Sequence, residues 1–252
     1  MEKPLAPDGF WQRPLFDGPD YYYILQRLHA VLKPKTYLEI GTRDGGSLAQ
    51  AACEAIAIDP NFDLRMEVVG VKSACHLYQQ TSDSFFAERD PAAILGRPVD
   101  FAFLDGMHLY EFLLRDFINV ERHCRPNSVI ALHDCIPNDS FVARRAQSDL
   151  SLAPYSEAPS GWWAGDVWKM VAILQEFRPE LRIAGYAVPP TGLVLVTGLN
   201  PQSNVLSELY GDAVESMRDT GPADHEAYMA RLGITPVSFF DSFEDIAGRY
   251  WL

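Results

Sequence analysis

Two short stretches hold the residue types best suited to chemistry: Asp105-Gly106-Met107-His108 and His133-Asp134. An imidazole titrates near neutral pH, so His108 or His133 could take a proton from a reacting hydroxyl. Carboxylates beside imidazoles can also ligate a divalent cation. An oxygen-rich set suits magnesium, whereas a histidine ligand shifts the preference to manganese, iron or zinc. A third stretch, from Thr36 to Ser47, places Glu39 just before a bend at Gly41, with Gly45 and Gly46 following. Glycines let the chain turn tightly and approach a ligand with no Cβ in the way. A glycine-rich strand-to-helix turn is the usual mouth of a nucleotide or nucleoside site in an open α/β sheet.

These stretches need elements to position them. Residues 37–40, 55–58, 99–104 and 128–132 are short apolar runs that read as buried strands, and each ends in glycine, acid or histidine. Weaker strand candidates lie at 68–71 and 75–80. Apolar residues Tyr22, Leu25, Leu28 and Val31 recur at helical spacing and predict a helix over 21–32. Further helices are expected after Ser47, after Asp90-Pro91, over 110–124, over 140–150, and after Asp166 as cap. Residues 182–188 and 193–197 are joined by so short a connection that they predict an antiparallel hairpin. Alternation of strands and helices predicts a mainly parallel sheet, and such sheets bind ligands beyond the carboxyl ends of their strands. One rim should therefore gather Gly41 to Ser47, Asp59, Asp105, His133 and Asp134, with His108 beside them. Asp59, at the end of the second strand, is placed to accept hydrogen bonds from ribose hydroxyls.

The bend is neither G-x-G-x-x-G nor G-x-x-x-x-G-K-[S/T], which argues against a dinucleotide or a P-loop. Glu39-x-Gly41-x-x-x-Gly45 instead resembles the first motif of class I S-adenosylmethionine-dependent methyltransferases. Residues 104–111, Leu-Asp-Gly-Met-His-Leu-Tyr-Glu, with Asp116 beyond them, and residues 131–137, Ala-Leu-His-Asp-Cys-Ile-Pro, resemble the signatures of the methyltransferase-24 subgroup. Gly161 to Lys169 and the final hairpin fit it too, so the resemblance covers residues 20–200. It implies a Rossmann-like three-layer α/β sandwich with a mainly parallel seven-stranded sheet whose last strand is antiparallel. It also implies S-adenosylmethionine as cofactor. Glu39, Gly41, Thr42, Arg43, Gly45, Ser47, Asp59 and Asp105 would then surround that molecule, with Ser82 and Asp83 at its adenine. His108, His133 and Asp134 become the candidate catalytic residues, one histidine being the base. Related O-methyltransferases hold magnesium at positions matching Asp105, His133 and Asp134. The His-Asp pair departs from their Asp-Asp or Asp-Asn, so whether magnesium or manganese binds here stays open.

The rest of the 252 residues bounds the answer. Apolar residues make up 48% and the formal net charge is −13. Such a surface repels phosphate backbones and makes nucleic acid a poor partner. The start of the chain has no basic-then-apolar leader, and no apolar run reaches the ~20 residues that span a bilayer. The four cysteines are scattered, which suits a reducing cytoplasm. The reading divides the chain into an arm at 1–20, a cofactor-binding domain at 21–198 and a helical extension at 199–252. The closing aromatics of that extension are expected to dock on the body or on the second copy of a homodimer. The function expected is O-methylation of a small hydroxylated molecule, of sugar or natural-product type. The alternatives are a protein on the same scaffold that assists a hydroxylase without methyl transfer, an NAD(P) oxidoreductase, and a scaffolding role for the C-terminal part.

Overall fold

The computed structural model describes residues 5–221 and 224–252. Eight strands form one sheet: β1 (Thr36–Ile40), β2 (Glu54–Ile58), β3 (Cys75–Tyr78), β4 (Val99–Leu104), β5 (Cys124–His133), β6 (Arg182–Ala187), β7 (Leu193–Thr197) and β8 (Ile234–Pro236). Their spatial order is β3-β2-β1-β4-β5-β7-β6-β8. Only β7 runs antiparallel to its neighbours, and the hairpin it forms with β6 pairs Arg182 with Thr197. The sheet thus has the expected seven strands plus the short β8, which comes from the C-terminal part and pairs parallel with β6.

Both faces of the sheet are covered, so its strands are apolar at nearly every position. Successive side chains point to opposite faces. Leu38, Ile40, Ile56, Ile58, Ala102 and Leu104 pack with α4 (Tyr110–Glu121) and α5 (Lys169–Phe177). Tyr37, Ala55, Ala57, Phe101 and Phe103 pack with α1 (Tyr21–Leu32) and the C-terminal residues Phe240, Ile246 and Tyr250. The helix α1 has the expected bounds. Asp20 caps it by accepting from the Tyr23 amide, and Leu25 and Leu28 are fully buried.

Shorter helices are α2 (Ser82–Glu88), α3 (Pro91–Ile94), α6 (Val205–Glu208), α7 (Tyr210–Ser216), α8 (His225–Leu232) and α9 (Phe243–Arg249). Asp90 caps α3 through the amides of Ala92 and Ala93, as its Asp-Pro start predicts. Three expectations fail. After Ser47 there is only a single 3-10 turn, Leu48–Gln50, because the chain turns extended at Ala51 to begin β2. Residues 68–71 form a turn, held by the Lys72 amide on the Val69 carbonyl, and are not a strand. Residues 125–127 lie inside β5 beside a register shift against β4. Residues 140–150 are a series of turns. Asp139 and Arg144 take up backbone groups there that a helix would pair internally.

Candidate active site

A cavity of about 720 Å³ opens beyond the carboxyl ends of β1, β2, β4 and β5. The bend that ends β1 forms its floor. Gly41 has φ +90°, and a Cβ there would overlap the Asp105 carbonyl of the neighbouring strand. Only glycine lets β1 and β4 come this close while the chain turns under the cavity. Thr42, Arg43 and Ser47 line the cavity, whereas Gly45 sits behind the bend, where a Cβ would press on Val68.

Asp59 ends β2 at the cavity wall. Its Oδ2 accepts the Arg43 amide at 2.8 Å and its Oδ1 the Asn61 amide at 2.7 Å. Both oxygens are fixed in place, and each keeps a lone pair for a further donor. Glu39 is not on the wall. It is fully buried behind the bend, with Tyr37 donating to its Oε2 at 2.7 Å. Burial pushes its carboxyl up to about 7, against the hydrogen bond from Tyr37. Its other oxygen, Oε1, is buried without a hydrogen-bond partner. Of the adenine candidates, Ser82 and Asp83 both line the cavity at the start of α2. Asp83, however, gives both carboxylate oxygens to Arg115, at 3.0 and 2.8 Å.

Asp105, His108, His133 and Asp134 line the same cavity. His133 Nδ1 is 3.1 Å from Asp105 Oδ1 and 3.3 Å from Asp134 Oδ1. Its Nε2 is buried without a polar partner, and the Tyr21 ring packs on it at 4.1 Å between centroids. Burial alone would lower the imidazole's pKa, but Asp134 and Asp105 raise it well above the ordinary value. The two acids thus favour the protonated ring, although its Nε2 finds no acceptor. Burial would likewise raise Asp134, but His133, His108 and Thr191 hold it well below the carboxylate range.

His108 is arranged differently. Its Nδ1 lies 3.0 Å from the Trp163 carbonyl, a hydrogen bond that puts the proton on Nδ1, and its ring stacks on the Trp163 indole. Nδ1 is also 3.3 Å from Asp134 Oδ2, and Nε2 is 3.7 Å from Asp105 Oδ1. Asp105, His108 and Asp134 each offer one ligand atom, all within 4.8 Å of one another. This differs from the expected metal set, in which His133 stood where the structure brings His108. The donor chemistry fits a cation: two carboxylates and an imidazole whose ring is oriented by the Trp163 carbonyl.

The loop that holds Trp163 is itself pinned over the rim. Gly165, φ +64°, passes so close to His108 that a Cβ would overlap the His108 carbonyl. Asp166 caps nothing on α5. It accepts the Tyr110 amide at 3.2 Å and pairs with Arg145 at 2.7 Å, so it ties the loop to α4. Other wall residues were not predicted: Tyr21, Tyr22, Phe112, Asp116 and Pro190. The aromatic ones sit on helical faces that sequence periodicity assigns wholly to the core. Asp116, a polar residue on the apolar face of α4, was the signal available.

A family model described as a methyltransferase domain matches residues 38–135, the span from β1 through the histidine-acid pair. Over residues 38–135 the chain is thus similar to methyltransferase domains of the methyltransferase-24 type. No curated protein matches the chain in sequence. Among solved structures, an O-methyltransferase from Bacillus cereus in complex with SAH is 16% identical, covering 73% of this chain and 83% of that one, with a TM-score of 0.49. The O-methyltransferase TomG from Streptomyces achromogenes, involved in tomaymycin synthesis and complexed with SAM, is also 16% identical (71% and 80% covered, TM-score 0.46). An O-methyltransferase described as putative, from Klebsiella pneumoniae, is 13% identical over 75% of this chain and 84% of its own, with a TM-score of 0.48. The matched span supplies β2, β4, β5 and nearly all of β1, and thus much of the cavity wall. The loop over His108 and the α1 wall lie outside the matched span. Among the described residues no helix is long and apolar enough to cross a membrane.

Proposed function

We propose that this protein transfers the methyl group of S-adenosylmethionine to a hydroxyl oxygen of a small molecule. The observation that carries the reading is that one cavity joins the Gly41 bend and Asp59 to the Asp105–His108–Asp134 group. The first end fits a nucleoside, with a backbone cradle that a Cβ would fill and a fixed carboxylate for ribose hydroxyls. The second end fits an acceptor that must lose a proton. Bound S-adenosylmethionine supplies an electrophilic methyl group on a sulfonium. The chain's part is to align the acceptor oxygen with it, largely a matter of proximity and orientation.

His108 Nε2 is the proton acceptor in this reading. The hydrogen bond to Trp163 fixes the tautomer and the ring, and the neighbouring carboxylates stabilise the imidazolium that results. His133 serves as a fixed positive charge that holds Asp105 and Asp134 in place. Asp105, His108 and Asp134 also fit a divalent cation, with the mixed donors favouring manganese over magnesium. Such an ion would lower the pKa of a bound hydroxyl. One nitrogen cannot be both ligand and base, so chelation separates the two. Activity that survives EDTA identifies His108 as the base, and activity lost to EDTA and restored by manganese identifies it as a ligand.

Calorimetry with S-adenosylmethionine and S-adenosylhomocysteine tests the cofactor. Micromolar binding is expected, weakened by Gly41→Val and by Asp59→Ala. No binding of either by the wild-type chain defeats the proposal. Turnover on a panel of hydroxylated small molecules then separates a transferase from a protein that binds the cofactor and only assists another enzyme.

A further inference from the structure

The geometry points to Thr191 as a positioning residue for the Asp105–His108–Asp134 group: its hydroxyl sets which oxygen of Asp134 faces His108. The effect on rate rests on the methyl-transfer reading above; the effect on geometry does not. Thr191 lies outside the span that matches a methyltransferase domain, on the turn between β6 and β7. The pairing of β5 with β7 ends at His133 and Leu193, so this turn runs on beyond the sheet. Pro190 lines the cavity there, and Thr191 beside it is 3% exposed. Three contacts fasten the turn to the chain that leaves β5. The Ile136 amide donates to the Thr191 carbonyl at 2.9 Å. Gly192, φ +81°, passes so close that a Cβ would overlap the Ile136 side chain. The Thr191 hydroxyl donates to Asp134 Oδ1.

Asp134 needs such an anchor. Its φ of +61° lies in the left-handed region, which a residue other than glycine keeps only where its surroundings hold it. The last torsion of an aspartate is broad and nearly two-fold, so the carboxylate alone does not tell its oxygens apart. The contacts do. Oδ1 takes the Thr191 proton and lies 3.3 Å from His133 Nδ1, while Oδ2 lies 3.3 Å from His108 Nδ1. His133 does not make this choice by itself, because its Nδ1 is nearer to Asp105, at 3.1 Å. A hydroxyl is a neutral donor, so Thr191 holds Oδ1 without adding charge to the group. Its backbone is fixed by Ile136, and a β-branched side chain has few χ1 choices, so the hydroxyl has little freedom to follow a carboxylate that turns. With Oδ1 secured, Oδ2 and the Trp163 carbonyl, 3.0 Å from the same Nδ1, together orient the His108 ring.

Two variants separate the hydroxyl from the shape. Thr191→Val keeps the branch and loses the donor, and Thr191→Ser keeps the donor. In chains labelled with 15N-histidine and compared at one pH, the ring-nitrogen resonances of His108, assigned with His108→Gln, should move in Thr191→Val. They should return to the wild-type position in Thr191→Ser. With an acceptor that the chain methylates, kcat should fall about 10- to 100-fold in Thr191→Val, the loss typical of a partner that orients a functional group, while KM and S-adenosylhomocysteine affinity stay within about twofold. Thr191→Ser should recover most of the rate. Circular dichroism confirms that each variant is folded, and Thr191→Ala carries the test if the valine variant does not fold. His108 resonances that stay put in Thr191→Val, or that move equally in Thr191→Ser, overturn the assignment. So does an equal loss of rate and S-adenosylhomocysteine affinity, which would mean that the turn supports the whole cavity. A wild-type chain that binds no S-adenosylhomocysteine and methylates nothing overturns the methyl-transfer reading, and the resonances still decide the role of Thr191.

Discussion

Individual side chains in this cavity are set by what surrounds them. His108 and His133 are close together, yet one keeps a free nitrogen and the other is locked between two acids. Replacing His108 by alanine should lower kcat by roughly 10²- to 10⁴-fold if it is the base, with S-adenosylhomocysteine affinity unchanged. Steady-state kinetics beside calorimetry shows whether the two part in this way. Glu39 and Asp116 make a second prediction, about stability. Both carboxyls are held near 7 in the folded chain by burial, whereas in the unfolded chain they ionise near 4. The folded state therefore binds more protons between those values. The stability these groups allow is complete below about pH 4 and declines as pH rises towards 7. At roughly 1.4 kcal/mol for each unit of difference, either acid alone costs a few kcal/mol at neutral pH. Urea unfolding midpoints should fall from pH 5 to pH 8, and Asp116→Asn should flatten that fall. A midpoint that rises over this range contradicts the burial of these acids.

At the level of elements, the loop from β5 to α5 decides the geometry of the acceptor end. Gly165 lets it lie against His108, and the Trp163 carbonyl fixes the imidazole. Gly165→Val should lift the loop and release the histidine. A displacement of about 1 Å can cost on the order of 10² in rate, so kcat should fall while cofactor binding at the far end stays within about twofold. Equal losses in both would mean that the loop does not act through His108. This loop was also the least legible part of the sequence. The strands were readable because burial on both faces makes them continuous apolar runs, and their polar last residues marked the rim. The turns at 140–150 were not, since Asp139 and Arg144 look like ordinary residues of a polar helix until their contacts are known. Arg144 donates to the carbonyls of Phe141 and Gln147, three residues to either side, and of Trp162, eighteen residues on. Glu39 was misread for a similar reason. Its place in the motif is visible, but the Tyr37 hydroxyl that turns it inwards comes from two residues upstream on the same strand. His133 looked the equal of His108 because sequence cannot show that Asp105 and Asp134 both close on one ring.

For the molecule as a whole, the question is whether residues 199–252 can be removed from the sheet they touch. Their β8 extends the sheet beyond β6. Leu232 packs against Gly185, where even a Cβ would meet it at 2.5 Å. Phe240, Ile246 and Tyr250 complete the core on the α1 face, and the Tyr250 hydroxyl bonds that of Tyr186 at 2.6 Å. Arg27 on α1 donates to the Phe240 carbonyl at 2.8 Å and stacks on the Phe243 ring at 4.2 Å. At the opposite side of the sheet, His225 lies between Trp11 of the arm and Trp168 at the start of α5. Burying one large apolar side chain is worth about 1.5–3 kcal/mol. Leu232, Phe240, Ile246 and Tyr250 together thus reach the scale of a whole domain's stability, about 5–15 kcal/mol. A chain ended at residue 198 should therefore fail to fold, showing no cooperative thermal transition and binding an apolar dye. A stable truncated chain that still binds S-adenosylhomocysteine would mean that these contacts cover the sheet without holding it together.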